Sequence, residues 1–593
     1  MSTIPRPEHP RPDFERDSFY NLNGTWQFAF DDDDRGLQEG WEQPGKTLER
    51  EILVPFCYQS AMSGIGGDEI HPILWYRRAF DLPEDMRGRT VWLRFGAVDF
   101  ESRVYLNGHM VGSHTGGYTP FGFDITPWLQ QENNDLCVRV VDRPDLRQPR
   151  GKQYWQRGLM GCWYTPCSGI WQTVYLEATG HNALADIRLT PDITHGLAHL
   201  EVELARTPRA PLTLEYELAL DERVVQSGSW QSHTCRAGLC LDMKRNGPGG
   251  LRLWHPRDPA LYRLRLTLLE DGEALDRVTT WFGMREVRVE NGQVLLNNEP
   301  LYQRLVLDQG YWPDSLLTPP DDEAIRADVR WIRDLGFNGA RKHQKIEDPR
   351  FYHWCDRLGV LVWGELPACY EFDSTMLQNT AQAMLDFIRR DYNHPCIIAW
   401  VPLNESWGVR EICGNKRQQA AARMLTQLCR AADGTRLISA NDGWEQTETD
   451  ICALHDYAAE GGVLEKHFDS RARVEAGGND RKMAYARGVR PTGKEAFLVT
   501  EYGGIAMQTK GEQGEMGGMA TWGYHDKVKD EEAFLARYSE LTDAIRAIPY
   551  CEGYCYTQLT DVMQEINGLL DPRRVPKADP ARIRDINRNP KGR

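Results

Sequence analysis

No long hydrophobic run occurs in this chain of 593 residues. The longest plainly apolar stretch, around Cys396–Leu403, falls far short of the ~18 residues that a membrane-spanning helix requires. No membrane partner is therefore expected. The opening Met1-Ser-Thr-Ile-Pro-Arg-Pro-Glu-His-Pro lacks the apolar core of a secretory leader, which predicts a cytoplasmic protein. Basic residues are in deficit, 70 against 86 acidic, for a net charge of −16. Phosphate binding needs the opposite field, so nucleic acid is not an expected partner. Cysteine is sparse: 14 residues are too few for a disulfide framework, and reduced thiols are expected. Internal repeats and low-complexity segments are also missing. What remains is an ordinary globular composition, 41% hydrophobic and 26% charged. At roughly 100–200 residues per domain, this length predicts about three to five domains. One surplus stands out, 19 tryptophans beside 23 tyrosines. Such residues fill cores, and their flat faces also suit sugar rings.

Residues 1–183 read as short strands separated by turns. Thr90–Gly96 and Ser102–Gly108 alternate apolar and polar, and the second ends in the Asn107-Gly108 pair that favours a tight hairpin. Leu136–Asp142 and Ile170–Glu177 repeat the pattern, so a β-sandwich is predicted. Residues 184–287 continue as strands with the length and spacing of an immunoglobulin-like sandwich. From 288 to 593 the texture changes. Helical spacing at Asp321–Leu335, Pro349–Leu358, Met376–Arg390 and Lys416–Ala432 alternates with apolar, non-alternating strands such as Val360–Gly364 and Cys396–Trp400. That is the signature of a parallel sheet, and some three hundred residues of it predict one (β/α)₈ barrel. The polar stretch after Arg573 reads as a frayed end.

In such a barrel, chemistry gathers at the C-terminal ends of the strands. Three apolar strands run into carboxylates there: Glu365, Glu405 and Glu501. Singly, each reads as a solvated or structurally paired loop residue. Converging on one mouth, they suit glycosidic cleavage, in which one carboxyl donates a proton and another, ionised, attacks the anomeric carbon. Asn404, just before Glu405, is placed to bind a sugar hydroxyl.

The segment Asp391-Tyr-Asn-His-Pro-Cys-Ile-Ile-Ala-Trp-Val-Pro-Leu-Asn-Glu405 resembles the acid/base signature of glycoside hydrolase family 2. The resemblance extends over almost the whole chain. Tyr105–Gly112 with Gly117–Thr126 and the closing strand Gly169–Glu177 look like that family's sugar-binding-type, jelly-roll-like sandwich, and Leu253–Pro256 with Leu261-Tyr262 look like its immunoglobulin-like domain. The resemblance implies that Glu405 is the general acid/base and Glu501 the nucleophile of a retaining mechanism. It also implies that Tyr457 hydrogen-bonds the nucleophile and that Arg341 holds it ionised. After Arg341 the pattern departs: Lys342-His343-Gln344-Lys345 replaces the family's small residues and His-Tyr-Pro, leaving His343 a binding candidate one position early.

Further departures bear on metal and glycone. Cys369-Tyr370-Glu371 stands where magnesium-dependent relatives carry Glu-x-His, a poor set of oxygen ligands, so neither a metal nor another cofactor is expected. Asn567-Gly568-Leu569 has the asparagine but not the lysine of the Asn-x-Lys by which β-glucuronidases meet the sugar carboxylate; Arg573 and Arg574 are the substitute cations. The implied activity is thus a retaining exo-β-glycosidase on a neutral sugar, a β-D-galactoside first. A β-glucuronidase, an α-L-arabinopyranosidase and a non-catalytic carbohydrate-binding relative are the alternatives, and a homo-oligomer is the expected assembly. Tyr556 and Gln558 on the last strand, Asp308 with Trp312 and Trp363 on earlier ones, and the sandwich carboxylate Asp142 are further candidates for substrate binding. So is Trp522, on a glycine-rich loop between 503 and 530 that reads as a lid or aglycone wall.

Overall fold

The computed structural model describes residues 4–245, 250–479, 483–508, 515–516 and 518–589. The glycine-rich loop after Glu501 lies partly outside these residues. Among them, no helix is long and apolar enough to cross a membrane.

The N-terminal part is a sandwich of a six-stranded and a four-stranded antiparallel sheet. Its strands alternate because one face is buried: Val91, Leu93 and Phe95 of Thr90–Phe95 point inward and meet Val104, Val138 and Trp26 from the other sheet. The hairpin expected at Asn107-Gly108 forms between Glu101–Leu106 and His109–Thr115, both turn residues taking positive φ, 52° and 82°. A second sandwich follows, a three-stranded sheet beginning at Leu184–Asp192 packed on a five-stranded one. Its fifth strand is Glu15–Arg16, paired with Thr279 and Val278, so the start of the chain is woven into the second sandwich.

The C-terminal part is an eight-stranded parallel sheet. In chain order its strands are β1 (Gln303–Asp308), β2 (Gly339–Lys342), β3 (Leu361–Glu365), β4 (Ile397–Val401), β5 (Leu437–Ile438), β6 (Ile451–His455), β7 (Ala496–Gly503) and β8 (Cys551–Thr557). Neighbours in sequence are neighbours in space, β8 pairs with β1, and the Asp450 N–H donates to Ile438 O at 3.0 Å across the short β5. The four expected helices are present as Asp322–Asp334, Pro349–Leu358, Ser374–Asp391 and Lys416–Ala432. Each is N-capped by an Asp or Asn side chain that takes up amides left free in the first turn: Asp321, Asp348, Asp373 and Asn415.

One expectation fails. The segment after Arg573 is not frayed, for Pro580–Arg588 is a helix that buries Ile583 and Asn587, and Asn587 bonds Tyr538, Tyr554 and Leu335 O.

A loop of the first sandwich reaches the barrel mouth. Arg150 and Gly151 donate backbone N–H groups to Ala368 O, each at 3.0 Å. The Tyr370 hydroxyl donates to Gly151 O, and the Tyr164 hydroxyl donates to Glu565 at 2.6 Å. Gly151 has φ +60°, and a Cβ there would lie 2.3 Å from Gln344 O, so only glycine lets this loop seat so closely.

Candidate active site

Arg341, at the end of β2, organises the mouth. It is fully buried and directs its nitrogens at five oxygen-bearing neighbours. Nε donates to Glu365 at 2.7 Å, Nη1 to Thr500 O at 2.8 Å, and Nη2 to Glu501 at 2.6 Å and Asn404 Oδ1 at 3.1 Å. Nη1 also lies 3.2 Å from Asp442 Oδ1. The Tyr457 hydroxyl donates to the other Glu501 oxygen. Glu405 follows β4 by four residues in a positive-φ turn (φ 49°), and its oxygen lies 2.9 Å from His455 Nδ1. One oxygen each of Glu405 and Glu501 and a nitrogen of His455 all lie within 4.8 Å of one another. The second His455 nitrogen faces Asp442 at 2.8 Å, so the ring bridges two carboxylates.

Charge divides these carboxyls. Burial pushes Glu501 up, but His455, Arg341 and the Tyr457 hydroxyl outweigh it and hold the group at about 2. Glu365 goes the other way: burial, with Asp442 and Glu501 nearby, lifts it to about 7 against the pull of Arg341. Burial lowers His455, yet the Glu501, Asp442 and Glu405 carboxylates raise it to about 9. His343 is held well below its usual range by burial and the Lys152 and Arg341 charges, so it is neutral.

Of the residues named from sequence, Glu405, Glu501, Asn404, Tyr457, Arg341 and His343 are brought together. His343 Nδ1 sits 2.7 Å from Arg341 Nη2 and 2.9 Å from Glu365. Asn404 Nδ2 is buried without a protein partner among the described residues, a donor left over.

Others are not joined to this set. Asp308 is consumed by Lys342 Nζ at 2.7 Å and the Gly310 amide at 2.9 Å. Asp142 binds Arg150 at 3.0 Å and Ser168 at 2.6 Å. Tyr556 is fully buried and packs edge-on against Tyr502 and Tyr538, so it is a packing residue. Gln558 is equally buried and bonds Asn567 at 2.7 Å. Trp363 is buried on Gln303, and Trp312 lies under Lys345 and Arg574. Trp522 is half-buried and ties the barrel loop to the sandwich through Gly161 O at 3.0 Å.

Sequence reasoning missed His455, Asp442, Tyr524, Lys152 and an aromatic wall. Tyr524 stacks on Tyr457 with ring centres 3.4 Å apart. The half-buried Trp155, Trp163, Trp407 and Trp444 form the wall with Tyr370. Lys152, on the sandwich loop, is buried yet makes no ion pair with any described carboxylate. Cys162, Glu565, Tyr370 and Glu501 nevertheless hold it charged against burial.

A parallel barrel behind two sandwiches, with buried carboxylates converging at the strand ends, is the frame of a carbohydrate hydrolase. The chain belongs to glycoside hydrolase family 2. Its sugar binding domain matches residues 19–176, its central family domain 182–285 and its TIM barrel domain 287–512. A beta-galactosidase of Thermoanaerobacter pseudethanolicus is 29% identical over 347 residues, 56% of this chain and 45% of the relative. A beta-glucuronidase of Streptococcus agalactiae is 24% identical over 420 residues, 65% of this chain and 66% of the relative. The matches thus span less than two thirds of these relatives' own lengths. A solved β-glucuronidase from Ruminococcus gnavus in complex with D-glucuronic acid shares the fold at TM-score 0.77 and 19% identity, over 97% of this chain and 98% of that one.

Proposed function

We propose that this chain is a retaining exo-β-glycosidase with Glu405 as acid/base and Glu501 as nucleophile. The observation that carries this reading is the closeness of the two carboxylates, one oxygen of each within 4.8 Å of the other. Retaining enzymes hold their carboxyls about 5–5.5 Å apart, whereas inverting enzymes leave about 6.5–9.5 Å for a water. Glu501 is kept ionised by Arg341 and His455, as an attacking carboxylate must be, and the Tyr457 hydroxyl fixes its second oxygen. Its attack on the anomeric carbon forms a glycosyl ester while Glu405 protonates the leaving oxygen. Water, deprotonated by Glu405, then releases the sugar with net retention. The spare Asn404 donor is suited to a glycone hydroxyl.

Two glycone readings remain, and one residue separates them. A neutral β-D-galactoside, with α-L-arabinopyranoside sharing its hydroxyl pattern, follows from the missing lysine after Asn567. An acidic glycone is favoured by Lys152, a buried charge without a carboxylate partner within ion-pair reach among the described residues, held in the field of Glu501 and Glu565. Neither expected arginine competes with it, since Arg574 is tied to Asp328 at 3.0 Å and Arg573 is exposed. The physical argument favours the acidic sugar, because Lys152 stays charged at the site and has no carboxylate within ion-pair reach among the described residues, which leaves it available to a substrate carboxylate.

A panel of aryl β-D-galactoside, β-D-glucuronide and α-L-arabinopyranoside decides, run on wild type and Lys152→Met. On the acidic reading, kcat/KM for the glucuronide falls by about 100-fold in the variant while any neutral substrate holds within a few-fold. A galactoside preference unaffected by Lys152→Met would restore the neutral reading. Complete inactivity across the panel would leave a non-catalytic carbohydrate-binding protein.

A further inference from the structure

Both ring nitrogens of His455 face carboxylate oxygen. Nδ1 lies 2.9 Å from Glu405 Oε1 and 3.4 Å from Glu501 Oε2, and Nε2 lies 2.8 Å from Asp442 Oδ1. A ring nitrogen without hydrogen presents a lone pair, which repels an ionised carboxylate at such distances. Each gap therefore holds a proton, on the ring or on the facing carboxyl. Asp442 also lies 3.2 Å from Arg341 Nη1, which favours its ionised form and leaves the hydrogen on Nε2. The remaining proton lies in the 2.9 Å gap between Nδ1 and Glu405 Oε1.

The ring is fixed in this position. It lies against Gly443, whose φ is +89° and where a Cβ would come within 2.3 Å of Nδ1 and Cε1. The backbone is held at both ends, by Gly443 O at 3.2 Å from the His455 amide and by Asn479 Nδ2 at 3.0 Å from its carbonyl. The charged groups facing it are Glu405, Glu501 and Asp442, with Arg341 Nη1 3.4 Å from Nε2. Three of these four are anions, so the surroundings favour the imidazolium.

We infer that His455 is a positioning residue that shares the catalytic proton with Glu405, so that the acid of this site is the pair and not the glutamate alone. This rests on the reading of Glu405 as acid/base. In the resting pair the proton is held as imidazolium with carboxylate, and it crosses the 2.9 Å gap to Glu405 as the leaving oxygen draws it. During glycosylation the C1–O bond to the leaving group breaks, Glu501 bonds to C1, and the Glu405 proton passes to the leaving oxygen. The pair is left with neutral imidazole, Nε2–H toward Asp442, and carboxylate. Water then gives hydroxyl to C1 and its proton to Glu405, Glu501 departs as carboxylate, and the pair regains its proton.

Nitrogen NMR of ¹⁵N-histidine-labelled protein tests the inference without any substrate, the His455 signal being assigned by its loss in His455→Gln. The expected wild-type ring is protonated on both nitrogens at pH 7, and its titration midpoint falls by at least about one unit in Glu405→Gln. A neutral ring at pH 7, or a midpoint indifferent to Glu405→Gln, would overturn the inference even if the enzyme hydrolyses glycosides normally. The kinetic counterpart uses an aryl glycoside with a poor leaving group. In folded His455→Gln the loss in kcat/KM grows from within about tenfold at pH 5 to beyond about 100-fold at pH 8, because the basic limb moves down. A loss equal at every pH would mark His455 as merely structural. Inactive wild type with the predicted NMR behaviour would instead refute the glycosidase reading and leave the shared proton standing.

Discussion

At the residue scale, the site depends on which carboxyl stays ionised. Glu501 is nearly fully buried, and the charges of His455 and Arg341 hold it at about 2 instead of 4.5. The sign of the linkage follows. A depressed carboxyl contributes stability above its unfolded value, and that contribution is lost as pH falls toward its folded value. The window is therefore about pH 4.5 down to about 2, and the full contribution is about 3 kcal/mol. Glu501→Gln removes this dependence and, on the proposed mechanism, the attacking oxygen. Turnover on an aryl glycoside should fall by several orders of magnitude. In calorimetry from pH 5 to pH 3, wild type should lose more melting temperature than the variant. Parallel pH dependences would mean that Arg341 and His455 do not hold Glu501 ionised.

At the scale of elements, the mouth is finished by a loop from another part of the chain. Gly151 seats that loop on β2 and β3 by letting its backbone approach Gln344 O, where any side chain collides with main chain that cannot step aside. Gly151→Ala adds this clash to the strain of φ +60°, so the loop should lift and carry Lys152 and Tyr164 with it. Expected are a KM raised by about tenfold or more, with kcat changed less, since Glu501 stands on β7 and Glu405 on the turn after β4. Unchanged KM would separate the loop from substrate binding. This loop also marks the limit of what the sequence made legible. The four expected helices were readable to within a residue or two because helical spacing is local, and the three glutamates because apolar runs end in them. Lys152 and His455 were not readable, because their partners lie on other strands or in another sandwich. Tyr556 and Trp363 were misjudged for a different reason. Strands buried on both faces carry no alternation, so inward and outward residues look alike.

At the scale of the whole molecule, the two sandwiches meet on one arginine. Arg16, in the strand that the start of the chain lends to the second sandwich, donates to Asp276 of that sandwich at 3.0 Å. It also donates to Glu177 in the last strand of the first sandwich at 2.8 Å. Both carboxylates are buried, and Arg94 supports Glu177 from only 3.3 Å on the adjacent strand. Removing Arg16 strips the shared cation from two buried anions, a change that costs about 3–5 kcal/mol where no water replaces it. None of the catalytic contacts passes through it, since those come from the barrel and the loop around Lys152. Arg16→Ala should therefore uncouple stability from chemistry. Calorimetry should show the sandwich transition moving down by several degrees and separating from that of the barrel, while kcat/KM at 25 °C stays within a few-fold. If one sharp transition persists at the wild-type temperature, the sandwiches are joined by their apolar surfaces instead. If activity falls in step with the melting temperature, the barrel mouth depends on the sandwich for its shape as well as for the loop it borrows.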